Sequence, residues 1–211
     1  MKKTITRTAL ITLGITLIVA IAVFGIVSFC LPSVMMDFTA SLGLKSLSGD
    51  YAFQEYERSG NLDCLVRSFV IAAEKENDRI ADDRFEILYG EDDSEQRDKF
   101  EAYCDSYKLD SSDDVKLEVT MRSYILGLAS CVKYRLAKTS DEKKKEACEF
   151  AIEATDKSFP QGNPVVYLSI EAVEKRDGAF CKMLLEKIKA AGFEDSEKND
   201  YSDIVKLLEG V

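Results

Sequence analysis

Residues 61–90 read NLDCLVRSFVIAAEKENDRIADDRFEILYG, and this stretch decides the fold class. Asn61 is a capping residue, and behind it Leu62, Leu65, Phe69 and Ala72 recur at helical spacing. A second run over 78–89 turns Ile80, Phe85 and Leu88 to one side and stops at Gly90. Two helices joined by a few polar residues become antiparallel neighbours that share the apolar face between them. The stretch reads as a helical hairpin.

The same punctuation continues on either side. A helix near 49–58 ends at Gly60, and Ser94 opens another to about 108 that carries Phe100, Tyr103 and Tyr107. LDSSDD at 109–114 supplies a turn and a cap before a longer helix over about 113–137. Thr139 and Glu142 form a T-x-x-E capping box for a helix over 140–157. Asn163 followed by Pro164 is a cap with proline at the first helical position, and that helix is expected to end near Gly178. Helices over about 179–191, stopping at Gly192, and about 199–209 complete the chain. No proline falls between Pro32 and Pro160, and no strand-like alternation exceeds a few residues. An all-α fold of antiparallel helical hairpins is expected.

The second members of the pairs begin near 61, 94, 140 and 179, a spacing of about 33 to 46 residues typical of stacked helix–turn–helix repeats. Tyr56, Gly60, Phe69 and Ala72 stand at offsets similar to the second half of a tetratricopeptide motif. Ala147, Ala151 and Ala154 do the same, with Pro160 shortly after. The chain over about 50–192 thus resembles a divergent tetratricopeptide repeat. Leu65 stands where that motif takes a small residue, and its tryptophan-leucine-glycine opening is missing. The resemblance implies an α-α superhelix that presents a groove to a protein or peptide. An irregular helical bundle satisfies the same periodicities.

Charge is divided unevenly along the 211 residues, whose formal net charge is −10. Met1 to Leu31 holds Lys2, Lys3 and Arg7 and no acid, while the remaining 180 residues carry 25 bases against 38 acids. Thr8 to Leu31, TALITLGITLIVAIAVFGIVSFCL, is 24 residues without a charge. At about 1.5 Å per residue such a helix measures roughly 36 Å, enough to cross a hydrocarbon core with some tilt. Pro32 disfavours helical geometry in the residue before it. A signal peptide has a shorter apolar region and a small-x-small exit, whereas this run leaves through Val27-Ser28-Phe29-Cys30. A retained anchor is therefore expected, with secretion after cleavage as the alternative. Basic residues at the start keep that end cytoplasmic and place the acidic domain outside. Thr4, Thr8, Thr12 and Thr16 share one helix face, where such hydroxyls bond their own i−4 carbonyls.

Chemistry is sparse. The chain has no histidine, which removes Ser-His-Asp, Cys-His and histidine-metal sites. Six cysteines at 30, 64, 104, 131, 148 and 181 contain no C-x-x-C pair, so no zinc site is expected. Cys131 and Cys148 lie about equally far from the turn near Thr139, so a disulfide between them is conceivable. Burial as free thiols in apolar helix faces is the alternative. Ser130 to Lys133 spells S-x-x-K, without the S-x-N and K-T-G elements that the chemistry requires further along the chain. The acid runs Glu91 to Asp93 and Asp110 to Asp114 lack the EF-hand pattern. Tyr51 and Tyr56, Tyr103 and Tyr107, and Tyr124 and Tyr134 are pairs that line a groove or fill space between hairpins. The acid excess argues against nucleic acid and favours a basic partner.

The expected organisation is a cytoplasmic basic tail (1–7), a transmembrane helix (8–31), an amphipathic lead-in with Val34, Phe38 and Leu42 (32–48), and a helical-hairpin domain (49–211). The expected function is membrane-anchored protein–protein interaction or scaffolding, with no catalysis and no cofactor. A secreted or envelope structural domain without a specific ligand is the alternative.

Overall fold

The computed structural model describes residues 2–90, 93–106, 120–155, 163–193 and 201–211. Among these residues all regular structure is helical. The helices are α1 (Lys2–Cys30), α2 (Pro32–Ser41), α3 (Lys45–Ser59), α4 (Leu62–Glu74), α5 (Asp78–Tyr89), α6 (Ser94–Ser106), α7 (Met121–Ala137), α8 (Asp141–Ala154), α9 (Pro164–Glu174), α10 (Gly178–Ala190) and α11 (Tyr201–Glu209). The chain divides into two compact units, Met1–Cys64 and Leu65–Val211.

In the first unit, α1 has one stretch, Thr12–Cys30, long and apolar enough to cross a membrane, and none of it is buried. Thr16 Oγ1 donates to the Thr12 carbonyl at 2.9 Å, the back-bonding expected of that threonine row. Pro32 opens α2 after a break at Leu31 (φ −135, ψ 62). Residues 32–48, the expected amphipathic lead-in or linker, hold α2 and the first turn of α3. These two helices pack on each other through Met35 and Thr39 against Ser48, Gly49, Tyr51 and Ala52. Ser48 Oγ donates to the Met36 carbonyl at 2.9 Å. α3 ends at Gly60, whose φ of 70 and amide bond to the Tyr56 carbonyl close a left-handed cap that glycine adopts without Cβ strain.

In the second unit, α7 is the central element. It packs against α8 and α9 on one side and α5 on another, while α9 meets α11 and α8 meets α10. One aromatic cluster joins α4, α5, α6 and α8. Phe69 and Phe85 are 5.5 Å apart, Phe85 meets Phe150 edge-on at 5.9 Å, and Tyr89 meets Phe100 edge-on at 5.5 Å. A second core gathers Tyr134, Ala147, Cys148, Ala151, Leu168 and Phe180, with Tyr134 stacked on Phe180 at 4.2 Å. Close approach of α7 and α9 needs a glycine. A Cβ built on Gly127 would lie 2.5 Å from Tyr167 Cδ2 and 2.7 Å from its Cγ.

Several helix ends differ from the sequence reading. α3 starts at Lys45 rather than 49, and α6 is described from Ser94 to Ser106, the rest of its expected range lying outside the described residues. α7 begins at Met121, where the Thr120 hydroxyl accepts from the Ser123 amide at 3.1 Å. LDSSDD and the expected first turns of that helix lie outside the described residues, as do Tyr107 and Pro160. The α8 cap is Ser140, which accepts from the Lys143 amide, so the Thr139–Glu142 box is displaced by one residue. Asn163 precedes Pro164 as the N-cap of α9, as expected; its side chain makes no cap bond, and its Nδ2 donates to the buried Tyr201 hydroxyl at 3.3 Å. The Val165 amide bonds Thr155 Oγ1 instead, at 3.2 Å. α9 ends at Glu174, not near Gly178. Arg176 takes the left-handed conformation (φ 54), Asp177 caps the Phe180 amide, and Gly178 becomes the first residue of α10. Glu76 (φ 54) makes the same turn between α4 and α5, with matching amide bonds from residues 75–77 and 175–177. Glycine is the usual punctuation for such turns, but here charged residues fill it.

One cation holds these turns together. Arg135 of α7 donates from Nε to Asp78 Oδ1 at 2.7 Å, from Nη1 to Glu171 Oε2 at 3.2 Å and from Nη2 to the Ala73 carbonyl at 3.0 Å. Its side chain is 10% exposed and its two acids 19% and 15%. Arg135→Met leaves two mostly buried carboxylates facing each other and is expected to lower stability by about 3–5 kcal/mol, read by urea unfolding. Gly127→Ala forces the Tyr167 ring off its seat and is expected to cost about 1–3 kcal/mol in the same measurement.

Candidate functional site

The chemistry of the second unit converges on a cleft bordered by α5, α6, α7 and α8, with a volume of about 810 Å³. Tyr89 comes from the last turn of α5, Arg97 from the first turn of α6, Lys133 from α7, and Glu146, Phe150 and Glu153 from α8. Helical spacing explains the α8 wall. Ala147, Ala151 and Ala154 form the buried face, and Glu146, Phe150 and Glu153 stand one residue to the side of it, where they border the cleft. Asp82 lies along the α5 side, seven residues before Tyr89 and so on the same face.

Two cations sit over the aromatic floor. Lys133 Nζ is 5.1 Å from the Phe150 ring centroid and 5.9 Å from that of Phe85. The Arg97 guanidinium lies 5.0 Å over Tyr89. Both are within the range where a ring quadrupole attracts a cation. Asp82, Glu146, Glu149 and Glu153 line the same cleft. Glu149 is engaged by Lys187 at 2.7 Å, and that ammonium holds its carboxyl below the usual carboxylate range. Glu146 and Glu153 are exposed. The cleft therefore offers apolar ring faces, both signs of charge and an open mouth. Among the described residues its lining holds no serine, threonine or cysteine.

A second polar cluster supports α7 from the neighbouring hairpin. Lys144 and the Tyr134 hydroxyl both donate to Asp177 Oδ2, while Asp177 Oδ1 caps α10. Burial raises the Asp177 carboxyl, but the Lys144 ammonium, the Phe180 amide and the Tyr134 hydroxyl outweigh it, so its pKa is lowered.

The residues singled out by sequence are dispersed. Phe69, Ala72, Ala147, Ala151 and Ala154 are buried, at 0%, 4%, 0%, 0% and 9% exposure, whereas Tyr56 is half-buried and Gly60 is an exposed cap. Ser130 Oγ donates to the Leu126 carbonyl at 2.8 Å inside the core, while Lys133 covers the rings, so the S-x-x-K residues form no pair. Tyr51 and Tyr134 are buried. Tyr124 instead donates to Glu74 and meets Tyr167 edge-on at 6.1 Å. Tyr89, Phe150 and Arg97, which line the cleft, carried no motif. The available signal was an aromatic placed beside, rather than on, the apolar stripe of its helix. Among the described residues no group of three His, Cys, Asp or Glu is placed to hold a metal ion. The first acid run is described only at Asp93, and the second lies outside the described residues.

All six cysteines are free thiols, including Cys131 and Cys148, and every one but Cys30 is buried. Comparison with protein-family models, curated proteins and solved structures finds no match to this chain.

Burial pushes the thiols of Cys104, Cys131 and Cys148 from 9.0 up to about 12. A folded pKa above the unfolded one means that stability is complete below pH 9 and declines as pH rises toward 12. Stability measured across that window is expected to fall, and Cys148→Ala is expected to flatten the fall. In the native protein an aqueous thiol reagent is expected to leave these three unmodified until the chain unfolds.

Proposed function

We propose that the chain is a membrane-tethered binding protein whose helical domain takes up a protein or peptide partner in the α5–α8 cleft, with no catalysis of its own. The cleft carries this reading. Ring faces and Leu136 supply contact area, and Glu146, Glu153 and Asp82 at its border suit basic side chains of a partner. Lys133, Lys143 and Arg97 suit its acids or carbonyls and fix the direction in which it lies.

Packing of alternate helices supports the tetratricopeptide-like arrangement. α5, α7, α9 and α11 pack in sequence, and α8 packs on α10. That is the connectivity expected when hairpins stack side by side. The small residues at 147, 151 and 154 fit the same arrangement by letting α8 approach its neighbours.

The tether is α1. A helix of this length and composition with every side chain of Thr12–Cys30 outside the core is unsuited to water. Lys2, Lys3 and Arg7 support a cytoplasmic first end, with the acidic domain on the opposite side. The domain's negative charge keeps it off anionic lipid and draws in a basic partner.

The test is charge reversal on the full-length protein in detergent or nanodiscs. A lysine- and aromatic-bearing peptide selected for binding is expected to lose about tenfold or more in affinity, roughly 1.4 kcal/mol, when Glu146→Lys and Glu153→Lys are combined. A peptide with its lysines changed to glutamates is expected to recover part of that loss. Binding unchanged by the double reversal, or a failure of every such peptide to bind, would overturn the cleft as the recognition site.

A further inference from the structure

α2 carries apolar side chains on two faces, and protein covers one of them. Met35 and Thr39 are buried against α3. On the other face Val34 and Phe38 are 53% and 49% exposed, and Leu31 and Leu42 at the two caps are 47% and 58% exposed. Positions 31, 34, 38 and 42 are three or four residues apart, so they form one row along the helix. Ser33, Asp37 and Ser41 lie on its flank. A row of four large apolar groups on a single short helix, extended around the turn by the exposed Leu44 and Leu47, is a patch that needs an apolar phase.

Position in the chain identifies that phase. The row begins one residue after α1 ends, and Phe29 in the last turn of α1 is 86% exposed beside it. The break at Leu31 and the missing amide of Pro32 allow the chain to change direction there. Arg58, near the end of α3, donates to the Cys30 carbonyl, so the open end of the α2–α3 hairpin is clasped to the exit of α1. An amphipathic helix held at that level has acyl chains as its nearest apolar neighbour.

We propose that α2 lies in the boundary between phospholipid headgroups and acyl chains, with Leu31, Val34, Phe38 and Leu42 turned into the lipid. The proposal rests on the membrane reading of α1. It adds that the chain meets the bilayer along a second, interfacial helix, which sets the angle at which the hairpin leaves the surface. Asp37 and Ser33 stay on the headgroup side.

The chain has no tryptophan, so one introduced indole reports without background. Phe24→Trp in α1 and, separately, Phe38→Trp or Val34→Trp in α2 are made in the full chain. Each is reconstituted in phosphatidylcholine vesicles with and without brominated acyl chains. The proposal expects blue-shifted emission at position 38 or 34 and a bromine-dependent loss of emission comparable to that at position 24. Quenching at 24 without quenching at 38 and 34 overturns it and leaves the tether standing. A blue shift at 38 without quenching also overturns it, and points to a second protein surface over the row. No quenching at 24 removes the tether and the proposal together.

Discussion

Burial of α7 on nearly every side is the constraint from which the arrangement of the second unit follows. A helix packed against α5, α8 and α9 meets solvent along the side that carries Arg122 and Lys133, and its buried face leaves little room for bulk or an unmet hydroxyl. Its composition answers both demands. Gly127, Ala129 and Ala137 keep its surface low, and Ser130 turns its hydroxyl back to the Leu126 carbonyl at 2.8 Å. Thr120 and Ser123 satisfy each other at the first turn, 2.9 Å apart. α9 can settle onto α7 because the Tyr167 ring occupies the space where a Cβ of residue 127 would be.

Charged groups then fix where neighbouring hairpins stop. Arg135 and Asp177 both lie partly inside the structure, where an unpaired charge is costly. Each is met by several partners from different helices. Burial pulls the Arg135 guanidinium toward neutrality, but Asp78 and Glu171 prevail and raise its pKa. For Asp177 the folded pKa is lowered, so its stabilising share is present above the ordinary 3.8 and is lost as pH falls through the folded value. Lys175 reaches Glu76 at 2.9 Å, which brings two turns of the same hydrogen-bond pattern side by side. Its exposure makes that pair a weak contributor beside the other two.

The cleft is a consequence of the same packing. α8 uses its alanines against the core, so Phe150, Glu146 and Glu153 are left at the edge of that face. The aromatic floor would be an aggregation hazard if bare. Lys133 and Arg97 cover it by setting their charged groups over the ring faces, Lys133 Nζ over Phe150 and the Arg97 guanidinium over Tyr89. In the first unit α1 differs in kind, because Thr12–Cys30 is long and apolar enough to cross a membrane and none of it is buried by the described residues.

Periodicity along the chain was enough to identify helices, the long apolar segment and the ends at Gly60 and Gly90, because those signals are local. A helix needs only its own repeat of apolar groups, and a membrane-length run needs only its own lack of charge. Asn163 before Pro164 was placed correctly as the start of α9, whereas the cap at Thr139 and the end near Gly178 were misplaced. In both a residue close by took the role: Ser140 accepted the α8 amide, and Arg176 took a left-handed turn usually left to glycine. The same letters were silent on Tyr89, Phe150, Arg97 and Lys133 as a group, since these come from four helices whose juxtaposition depends on how hairpins stack. Distance along a helix can be counted in residues, but distance between helices is set by side-chain volume and charge pairing across the core. That is why the helices were legible from their own composition, while the cleft, and which apolar face of α2 is left uncovered, required the packed chain.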